Sequence, residues 1–459
     1  MGARDASEPF VAPPDWPAAV PLTVRGAIRR TFGSLDSRNY RLYFFGDLVS
    51  YIGSWMQTMA EAWLVFRLTA SGTAVGATFA FRFLPVLLFG LWGGVIADRF
   101  DRRKVLLVTQ TLSALLAVAL WLVAYAGVVN VWMVFALAAA LGLVTVVDEP
   151  AKQAFVEEMV GRERVPNAVA LSSAVRNSAR ITGPALAALV LAILGNSIRH
   201  ESWVFLINAV SFVPLVAALM AMRVGELNRF HEPTDRPRVR EGLRYAWSLV
   251  DIRSTILLVA VVGTLVYNFP TFLTLMASEG FHGGAGLAGF LMAILGVGTV
   301  IGGLAAATWA RASARMVVGA AAALGLALVL AAALSSQVAF VVALVPVGAM
   351  AVFFGTVANS HMQVSSALPL RGRVMAIYTL LTLGTTVAGG PFVGWICQHW
   401  SPRTGLAVAG AATLVTAVVL SLPLAARLRA PEPVAPTLAV GDWRLGAATP
   451  RGTGRRSPR

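Results

Sequence analysis

Five polar residues in the first long apolar stretch follow one another at spacings of three and four, and two of them are acidic. They are Asp47, Ser50, Ser54, Gln57 and Glu61. Because a helix completes a turn about every 3.6 residues, this spacing places all five on one face. A carboxylate at membrane depth can bind a proton or pair with a cation, and this is the chemistry that we expect of the face.

Arginine and amide side chains form similar faces on two later apolar stretches. Their members are Ser173, Arg176, Asn177 and Arg180 in one stretch and Thr264, Asn268 and Thr271 in the other. A charge held in lipid costs roughly 3 kcal/mol or more, so the polar faces should surround a water-filled cavity. Hydrogen bonds between neighbouring helices are the alternative, and they account better for the serines and threonines than for the charged residues.

A further arginine, Arg82, lies in the second apolar stretch. Helical rise places it within about 4–5 Å of the depth of Glu61, so the two side chains can form a buried ion pair. Such a pair is either a permanent structural contact or a titrating pair that opens and closes, and the residues leave both open.

The composition places these residues in a membrane protein. Of 459 residues, 57% are hydrophobic and 13% are charged, against about 25% charged in an ordinary soluble domain. The net charge of +15 comes from short basic clusters between apolar runs, so we expect no nucleic-acid partner. The sequence has no G-x-x-x-x-G-K-[ST] motif, no G-x-S-x-G elbow, one cysteine (Cys397) and no metal-ligand spacing among its histidines. We therefore expect no enzyme, no cofactor and no metal.

Twelve apolar runs are long enough, at about 20 residues, to cross a bilayer as helices. They are approximately 42–68, 75–97, 105–126, 131–147, 167–194, 203–222, 255–277, 285–309, 316–334, 338–360, 374–395 and 405–425. With the N-terminus placed inside, 31 of the 37 Lys and Arg residues fall in cytoplasmic segments. Because cytoplasmic loops hold the excess of basic residues, we expect a multi-pass protein of the plasma membrane with both termini in the cytoplasm and no cleavable signal.

Two landmarks recur at nearly the same offset and indicate two similar halves. They are the Gly-Pro pairs Gly183-Pro184 and Gly390-Pro391, and the loops that begin at Asp98 and Ala310. A proline inside a helix removes one hydrogen bond, so both Gly-Pro pairs should mark kinks. Gly289, Gly296 and Gly303, spaced by seven, predict a face on which the fifth helix packs closely.

The predicted organisation has five parts. They are a cytoplasmic N-terminal segment (1–41), a six-helix bundle (42–222), a cytoplasmic linker (223–253), a second six-helix bundle (254–425) and a basic, disordered cytoplasmic tail (426–459). In the linker, Leu243, Trp247 and Val250 share a face opposite Arg240 and Arg244. This pattern predicts either a helix in the membrane interface or a plain solvated helix.

The loop after the second run resembles the signature of a known family. The residues Gly94-Val95-Ile96-Ala97-Asp98-Arg99-Phe100-Asp101-Arg102-Arg103-Lys104 resemble the helix 2 to helix 3 signature of the major facilitator superfamily, although Asp101 stands where that signature prefers glycine. Asp148-Glu149-Pro150-Ala151-Lys152-Gln153, followed by Arg180-Ile181-Thr182-Gly183-Pro184, look like the enterobactin-exporter and macrolide-efflux branch. The resemblance covers roughly residues 38–425 and implies an all-α fold of twelve transmembrane helices in two six-helix bundles.

The residues of this loop indicate a cytoplasmic gate. Gly93 and Gly94 permit a neighbouring helix to approach closely, and Asp98 can accept hydrogen bonds from a facing helix start. The basic run 102–104 can pair with Asp148 or Glu149 at the end of the fourth run. Attachment of the arginines to anionic headgroups is the alternative. The predicted gate, which would hold the two bundles together on the inside, consists of Gly94, Asp98, Arg99, Arg102, Arg103, Asp148 and Glu149.

The resemblance implies a gradient-driven secondary transporter that exports small amphiphilic molecules, drug-like or siderophore-like, by alternating access. We expect proton coupling through Glu61 and Asp47 with Arg82 as their partner, although alanines at 187 and 188 replace two glycines of the antiporter pattern. The substrate cavity would be lined by Ser54, Gln57, Arg176, Asn177, Arg180 and Asn268. An importer or facilitator of a small anionic nutrient and a non-transporting membrane receptor are the alternatives. The expected partners are a small-molecule substrate, protons and the lipid bilayer, with the chain as a monomer.

Overall fold

The computed structural model of the protein describes residues 32–195, 197–228, 239–309, 313–367 and 370–429. Its long helices are α1 (Arg38–Thr69), α2 (Gly72–Arg99), α3 (Arg102–Tyr125), α4 (Val131–Val160), α5 (Val165–Leu194), α6 (Ile198–Ala221), α7 (Val250–Gly280), α8 (Ala285–Trp309), α9 (Ala314–Ala333), α10 (Gln337–Ser365), α11 (Arg371–His399) and α12 (Pro402–Arg429). A shorter linker helix, Val239–Ser248, precedes α7. No residue in the described ranges is in a β-strand, and the predicted all-α class is confirmed.

Eleven of these helices are long and apolar enough to cross a membrane. The remaining one, α1, is 32 residues long, and its polar face makes it less apolar than the others. Together they fit the predicted twelve spans. Two spans are interrupted: α6 consists of Ile198–Glu201, Trp203–Ser211 and Val213–Ala221, and α7 consists of Val250–Leu265, Phe269–Leu275 and the π-helical turn Met276–Gly280.

Short polar side chains start the first four helices by accepting a backbone N–H, which satisfies one of the unpaired donors of a helix start. These caps are Ser37, Ser71, Asp101 and Asn130 for α1 to α4. Glycines with positive φ follow α4 and α5, where other residues would be strained. They are Gly161 (φ 74°) and Gly195 (φ 94°).

The largest difference between the predicted and the observed bounds of a helix is found in α4. The sequence predicted a span over 131–147, whereas the helix continues to Val160. Asp148 and Lys152 look like the polar end of a membrane span, but both are buried inside the protein. The predicted tail, 426–459, also begins too early, because α12 runs to Arg429. The rest of that tail and residues 1–31 of the N-terminal segment lie outside the described residues.

The first six and the last six helices each pack among themselves, and α2 with α11 and α5 with α8 form the main contacts between these two halves. On α8, a Cβ at Gly289 would lie 2.8 Å from the Pro184 carbonyl, and one at Gly296 would lie 2.9 Å from the Arg180 carbonyl. The predicted close packing of α8 on α5 is therefore confirmed at these two glycines. It is wrong for Gly303, whose nearest neighbour is Val352 of α10.

Glycines also bring α2 and α11 into backbone contact, far from the loop that begins at Asp98. A Cβ at Gly76 would overlap the carbonyl of Gly390, and Gly72 and Gly394 face each other in the same way. The Ser71 hydroxyl, at the start of α2, donates to the side-chain oxygen of Gln398 over 2.8 Å. We call this contact the glycine seam, and it holds the two halves together at one end of the molecule.

The two Gly-Pro pairs both lie at close helix crossings. Gly183 faces α1, where a Cβ would lie 2.7 Å from the Ile52 carbonyl, and Gly390 belongs to the glycine seam. Both helices continue past Pro184 and Pro391. Because glycine has no side chain, the backbones of neighbouring helices can approach closely at the point where each proline removes a backbone hydrogen bond.

The linker helix packs on the second half through a small residue. Ala246 is buried with Ile252, Met362 and Ile377, whereas Trp247 is 49% exposed. The backbone N–H of Ala367 donates to the Tyr245 hydroxyl over 3.0 Å. The helix is therefore neither wholly solvated nor detached from the bundle.

Candidate functional site

A cavity of about 870 Å³ lies between the two halves. Its wall reaches Gln153 of α4 and Ala376 of α11, toward the end that carries the Asp98 loop. At the other end the glycine seam brings the backbones of α2 and α11 together. The volume falls in the range of pockets that enclose small organic ligands, about 300–1,000 Å³.

Most of the predicted cavity residues line this space. They are Ser54, Gln57, Arg176, Arg180 and Asn268, together with Arg82, Asp148 and Glu149, which were predicted for other roles. Asn177 is half-buried but is not among the lining residues. Asp47 and Glu61 are 3% and 4% exposed and lie behind the wall. The described residues include no group of three or more His, Cys, Asp or Glu side chains placed to hold a metal ion.

The polar face of α1 serves both the cavity and the packing of the first half. Asn208 of α6 donates to the Gln57 side-chain oxygen over 2.6 Å. The Ser54 hydroxyl donates to the Ser50 carbonyl, and the Thr58 hydroxyl donates to the Ser54 carbonyl. Hydrogen bonding between helices therefore accounts for Gln57, while its neighbours bond within α1.

A buried charge cluster joins α1 to α4, and the sequence did not reveal its central member, Lys152. The ammonium group of Lys152 lies 3.1 Å from Asp148 Oδ2 and 3.6 Å from Asp47 Oδ1. Asp148 Oδ1 also accepts hydrogen bonds from Thr109 (2.5 Å) and Gln110 (2.7 Å) of α3. One lysine thus compensates two buried carboxylates, and three helices meet at the cluster.

The predicted pairing of the basic run 102–104 with Asp148 or Glu149 is wrong. Asp148 belongs to the Lys152 cluster, and Glu149 accepts a hydrogen bond from the Tyr51 hydroxyl over 3.2 Å. The reason is the extra length of α4, which places both acids well before its end, on the cavity wall.

The predicted ion pair between Glu61 and Arg82 is not formed. Arg82 Nη1 donates to the Thr58 hydroxyl over 3.4 Å, one helical turn from Glu61. No ion pair of the described residues joins these two side chains. Glu61 is 4% exposed and lies one helical turn after Gln57 on the same face of α1.

The loop between α2 and α3 is held to its own half of the protein. Arg102 lies 2.7 Å from Glu158 of α4 and 3.3 Å from Asp98. Arg103 donates to the carbonyls of Leu219 (2.6 Å) and Met220 (3.1 Å) at the end of α6. The described contacts of these two arginines therefore tie together α2, α3, α4 and α6, and they do not link the halves.

Three details of this loop differ from the prediction. The acid that caps the start of α3 is Asp101, which accepts from Lys104 N over 3.1 Å, rather than Asp98. Gly93 packs on the Val146 carbonyl, whereas a Cβ at Gly94 would meet nothing within 4 Å. Arg99 is exposed. Capping explains why an acid can stand where the signature prefers glycine.

Arg102→Ala is expected to lower transport several-fold while leaving ligand affinity nearly unchanged, because Arg102 ties helix ends together away from the cavity. Asp98→Asn should act in the same direction but more weakly, since its pair is longer and more exposed. Flux into vesicles and ligand binding to purified protein measure the two effects. Arg223→Ala, which removes an exposed pair with Glu226, is the matched control. An equal loss of affinity and flux in Arg102→Ala would show that the loop acts on binding.

Twelve long helices in the described ranges, arranged in two halves around a cavity with charged walls, define a membrane protein of the major facilitator fold. The chain belongs to the family described as transmembrane secretion effector, which matches residues 30–437 and lies within the major facilitator superfamily. The family resemblance drawn from the sequence is confirmed. The family description and the long apolar helices agree on a chain embedded in the membrane.

Curated relatives are transporters of several kinds. The chain is 22% identical to the staphyloferrin A transporter of Staphylococcus aureus over 57% of this chain and 65% of that protein. It is 29% identical to the multidrug efflux pump Tap of Mycobacterium tuberculosis, over 76% and 85%. It is 26% identical to macrolide efflux protein A of Streptococcus pyogenes, over 43% and 47%. The matched region thus spans less than two thirds of the staphyloferrin A transporter.

Solved structures share the fold at low sequence identity. The nucleoside transporter NupG superposes with a TM-score of 0.65 at 13% identity, over 83% of this chain and 98% of that one. A bacterial homologue of the iron transporter ferroportin, in an inward-facing state, gives 0.63 at 16% identity, over 84% and 98%. These likenesses concern the fold alone.

Proposed function

We propose that the protein exports small amphiphilic molecules across the plasma membrane in exchange for protons, by alternating access of the central cavity. The observation that carries the proposal is a cavity between two halves that contains membrane-depth charges and is closed at one end by the glycine seam. A closed end and an accessible end are what a carrier needs in one state of its cycle.

The export direction is supported by the charge distribution and by the relatives. Basic loops lie at the end toward which the cavity extends, and the excess of basic residues favours the cytoplasm for that end. A cavity accessible from the cytoplasm can load a solute destined for export. Relatives named as a multidrug efflux pump and a macrolide efflux protein agree with this direction.

Proton coupling is proposed through two buried acids of α1. Glu61 and Asp47 are nearly inaccessible, and a carboxylate in such a place changes its charge when its cationic neighbours move. Arg82, on α2, is close enough to Glu61 to act on it but is bonded to Thr58. We propose that the two halves, corresponding to 42–222 and 254–425, move as units and change these distances during the cycle.

Glu61→Gln should abolish pH-driven flux, because the amide keeps the shape of the side chain but cannot carry the proton. Exchange at equal pH on both sides should persist, since it requires no net protonation. The measurement is uptake of two fluorescent probes, an anionic naphthalene sulfonate and a cationic phenanthridinium, into everted vesicles with and without a pH gradient.

Glu157→Gln, at a 39% exposed side chain on the same half, is the control for the loss of one carboxylate. Asp47→Asn tests the second acid. Undiminished pH-driven uptake in both Glu61→Gln and Asp47→Asn would exclude proton coupling through these acids and leave another ion or facilitated diffusion.

A further inference from the structure

Among the described residues of the cavity wall, every charged one belongs to the first half of the chain. These residues are Arg82, Asp148, Glu149, Lys152, Arg176 and Arg180. The described wall residues of α7 and α11 are all uncharged, among them Tyr267, Asn268, Ile377 and Leu380. The cavity therefore has one charged wall and one neutral wall.

The charged wall carries an excess of positive charge. Lys152 and Asp148 compensate each other over 3.1 Å, which leaves three arginines against Glu149. In the described part of the chain, none of the three guanidinium groups has a carboxylate within 4 Å. Asp47 lies behind the wall beside Lys152, and Glu61 is farther than an ion-pair distance from Arg82.

Neutral groups are the described partners of these arginines. Arg82 donates to the Thr58 hydroxyl over 3.4 Å, and Arg176 donates to the Ser173 hydroxyl over 3.1 Å. The guanidinium of Arg180 lies 5.5 Å from the centre of the Trp55 ring. Arg82 and Arg176 are half-buried and Arg180 is exposed, so all three present their guanidinium groups to the cavity. A guanidinium stays charged in a protein, so the positive charge persists there. An anionic ligand group is the chemistry that these three charges would recognise.

The other residues of the cavity wall form a surface suited to the apolar part of a ligand. Large aromatic and aliphatic side chains from both halves line the cavity, among them Trp55, Phe79, Phe83, Phe212, Ile377 and Leu380. Pockets of this kind bind a ligand through apolar contact and orient it through a few polar groups. Here the orienting groups are cationic and lie on one side.

We propose that the substrate is an anionic amphiphile. Its carboxylate or sulfonate groups bind Arg176, Arg180 and Arg82, and its apolar part packs toward α7 and α11. Carboxylate binding to arginine is bidentate and charge-assisted, which suits two arginines one helical turn apart. The proposal rests on the proposed function in treating the cavity as the substrate site. An anion is also driven outward by an inside-negative membrane potential, so its export does not require direct competition with the proton.

Two ions of nearly equal shape and opposite charge test the proposal: tetraphenylborate and tetraphenylphosphonium. Calorimetric titration of the full chain in lipid nanodiscs, with empty nanodiscs as the blank, measures both affinities without any gradient. We expect tetraphenylborate to bind about tenfold more tightly or better, because the arginines attract its charge and repel that of the phosphonium. Equal affinities, or tighter binding of the phosphonium, would overturn the proposal without bearing on proton coupling.

Substitutions of the charged wall residues test whether these residues cause the difference in affinity between the two ions. Arg176→Gln and Arg180→Gln should each weaken tetraphenylborate binding about tenfold, because each removes one attractive charge, and should leave phosphonium binding unaffected or tighter. Arg176→Lys should recover most of the loss, because it restores the charge. Glu149→Gln should tighten tetraphenylborate binding by removing the uncompensated acid. Arg199→Gln, at an exposed arginine stacked on Tyr125 outside the cavity, is the control. Full affinity for tetraphenylborate in both glutamine variants would place the anion elsewhere and overturn the assignment.

Discussion

Lys152→Met is expected to destabilise the folded protein by about 3–5 kcal/mol, because it leaves two buried carboxylates without their cation. Asp47 and Asp148 are 5% and 10% exposed at their side chains, so little solvent reaches either carboxylate in place of the lysine. Asp148 retains hydrogen bonds from Thr109 and Gln110, whereas Asp47 Oδ1 has no hydrogen-bond partner among the described residues. Most of the loss should therefore come from Asp47. Thermal unfolding of the purified protein in detergent measures the effect.

The double variant Asp47→Asn/Lys152→Met should recover at least part of the lost stability, since it removes the uncompensated charge. Lower pH should also narrow the difference between Lys152→Met and the native protein, because protons then neutralise the carboxylates. Arg162→Met, which breaks a pair between 61% and 39% exposed side chains, should change stability by no more than about 1 kcal/mol. A Lys152→Met protein that unfolds at the native temperature would show that the cluster is hydrated or protonated.

Gly76→Ala is expected to reduce transport by about tenfold or more, because the added methyl group would overlap the Gly390 carbonyl in the glycine seam. Backbone atoms cannot move aside as a flexible side chain does, so α2 and α11 must separate. The end of the cavity closed by the seam would then open, and the protein would favour the opposite state of its cycle. Flux into vesicles measures the first effect. Labelling of Phe79→Cys, a buried cavity residue one turn from Gly76, by an impermeant maleimide added from the seam end measures the second in a Cys397→Ser background.

Gly319→Ala provides the matched control, because a Cβ at this glycine of α9 meets nothing within 4 Å. It should leave both flux and labelling unchanged. Gly390→Ala should reproduce the effect of Gly76→Ala, since the two glycines contact each other. Normal flux in Gly76→Ala, with labelling no faster than in the Gly319→Ala control, would show that the seam tolerates a methyl group and does not control access.

The fold was largely accessible from the sequence because a bilayer restricts what a chain can do. Long apolar runs must become helices, since no water is present to satisfy the backbone. The loop residues from Gly94 to Lys104 then identified the superfamily, which the family match at 30–437 confirms. The predicted end of α4 was wrong for a physical reason. Charges normally end a membrane span, but Asp148 and Lys152 compensate each other within the protein, so α4 continues to Val160.

The candidate site was predicted as a set of polar faces, and five of its six substrate residues line the cavity. Helical spacing brought Arg176 and Arg180 together correctly because both lie on one helix. The pairs between helices were predicted less well. Glu61 and Arg82 do not form an ion pair, and Arg102 pairs with Glu158 instead of Asp148 or Glu149.

A usable signal for Lys152 was present in the sequence. Asp148 precedes it by four residues, a spacing that places an acid and a base on one helix face. What the spacing could not supply is the third member, Asp47, which lies more than 100 residues earlier in the chain. Its contact with Lys152 depends on the packing of α1 against α4.

The sequence by itself determined the helices, their polar faces and the superfamily, because hydrophobicity, helical periodicity and a local loop signature act over short stretches of chain. The tertiary structure alone decided which charges meet, that three cavity arginines lie without a carboxylate partner among the described residues, and that glycines of α2 and α11 close one end. These features depend on distances between helices far apart in the chain. Such distances are set by how the helices pack, and no periodicity within one helix specifies them.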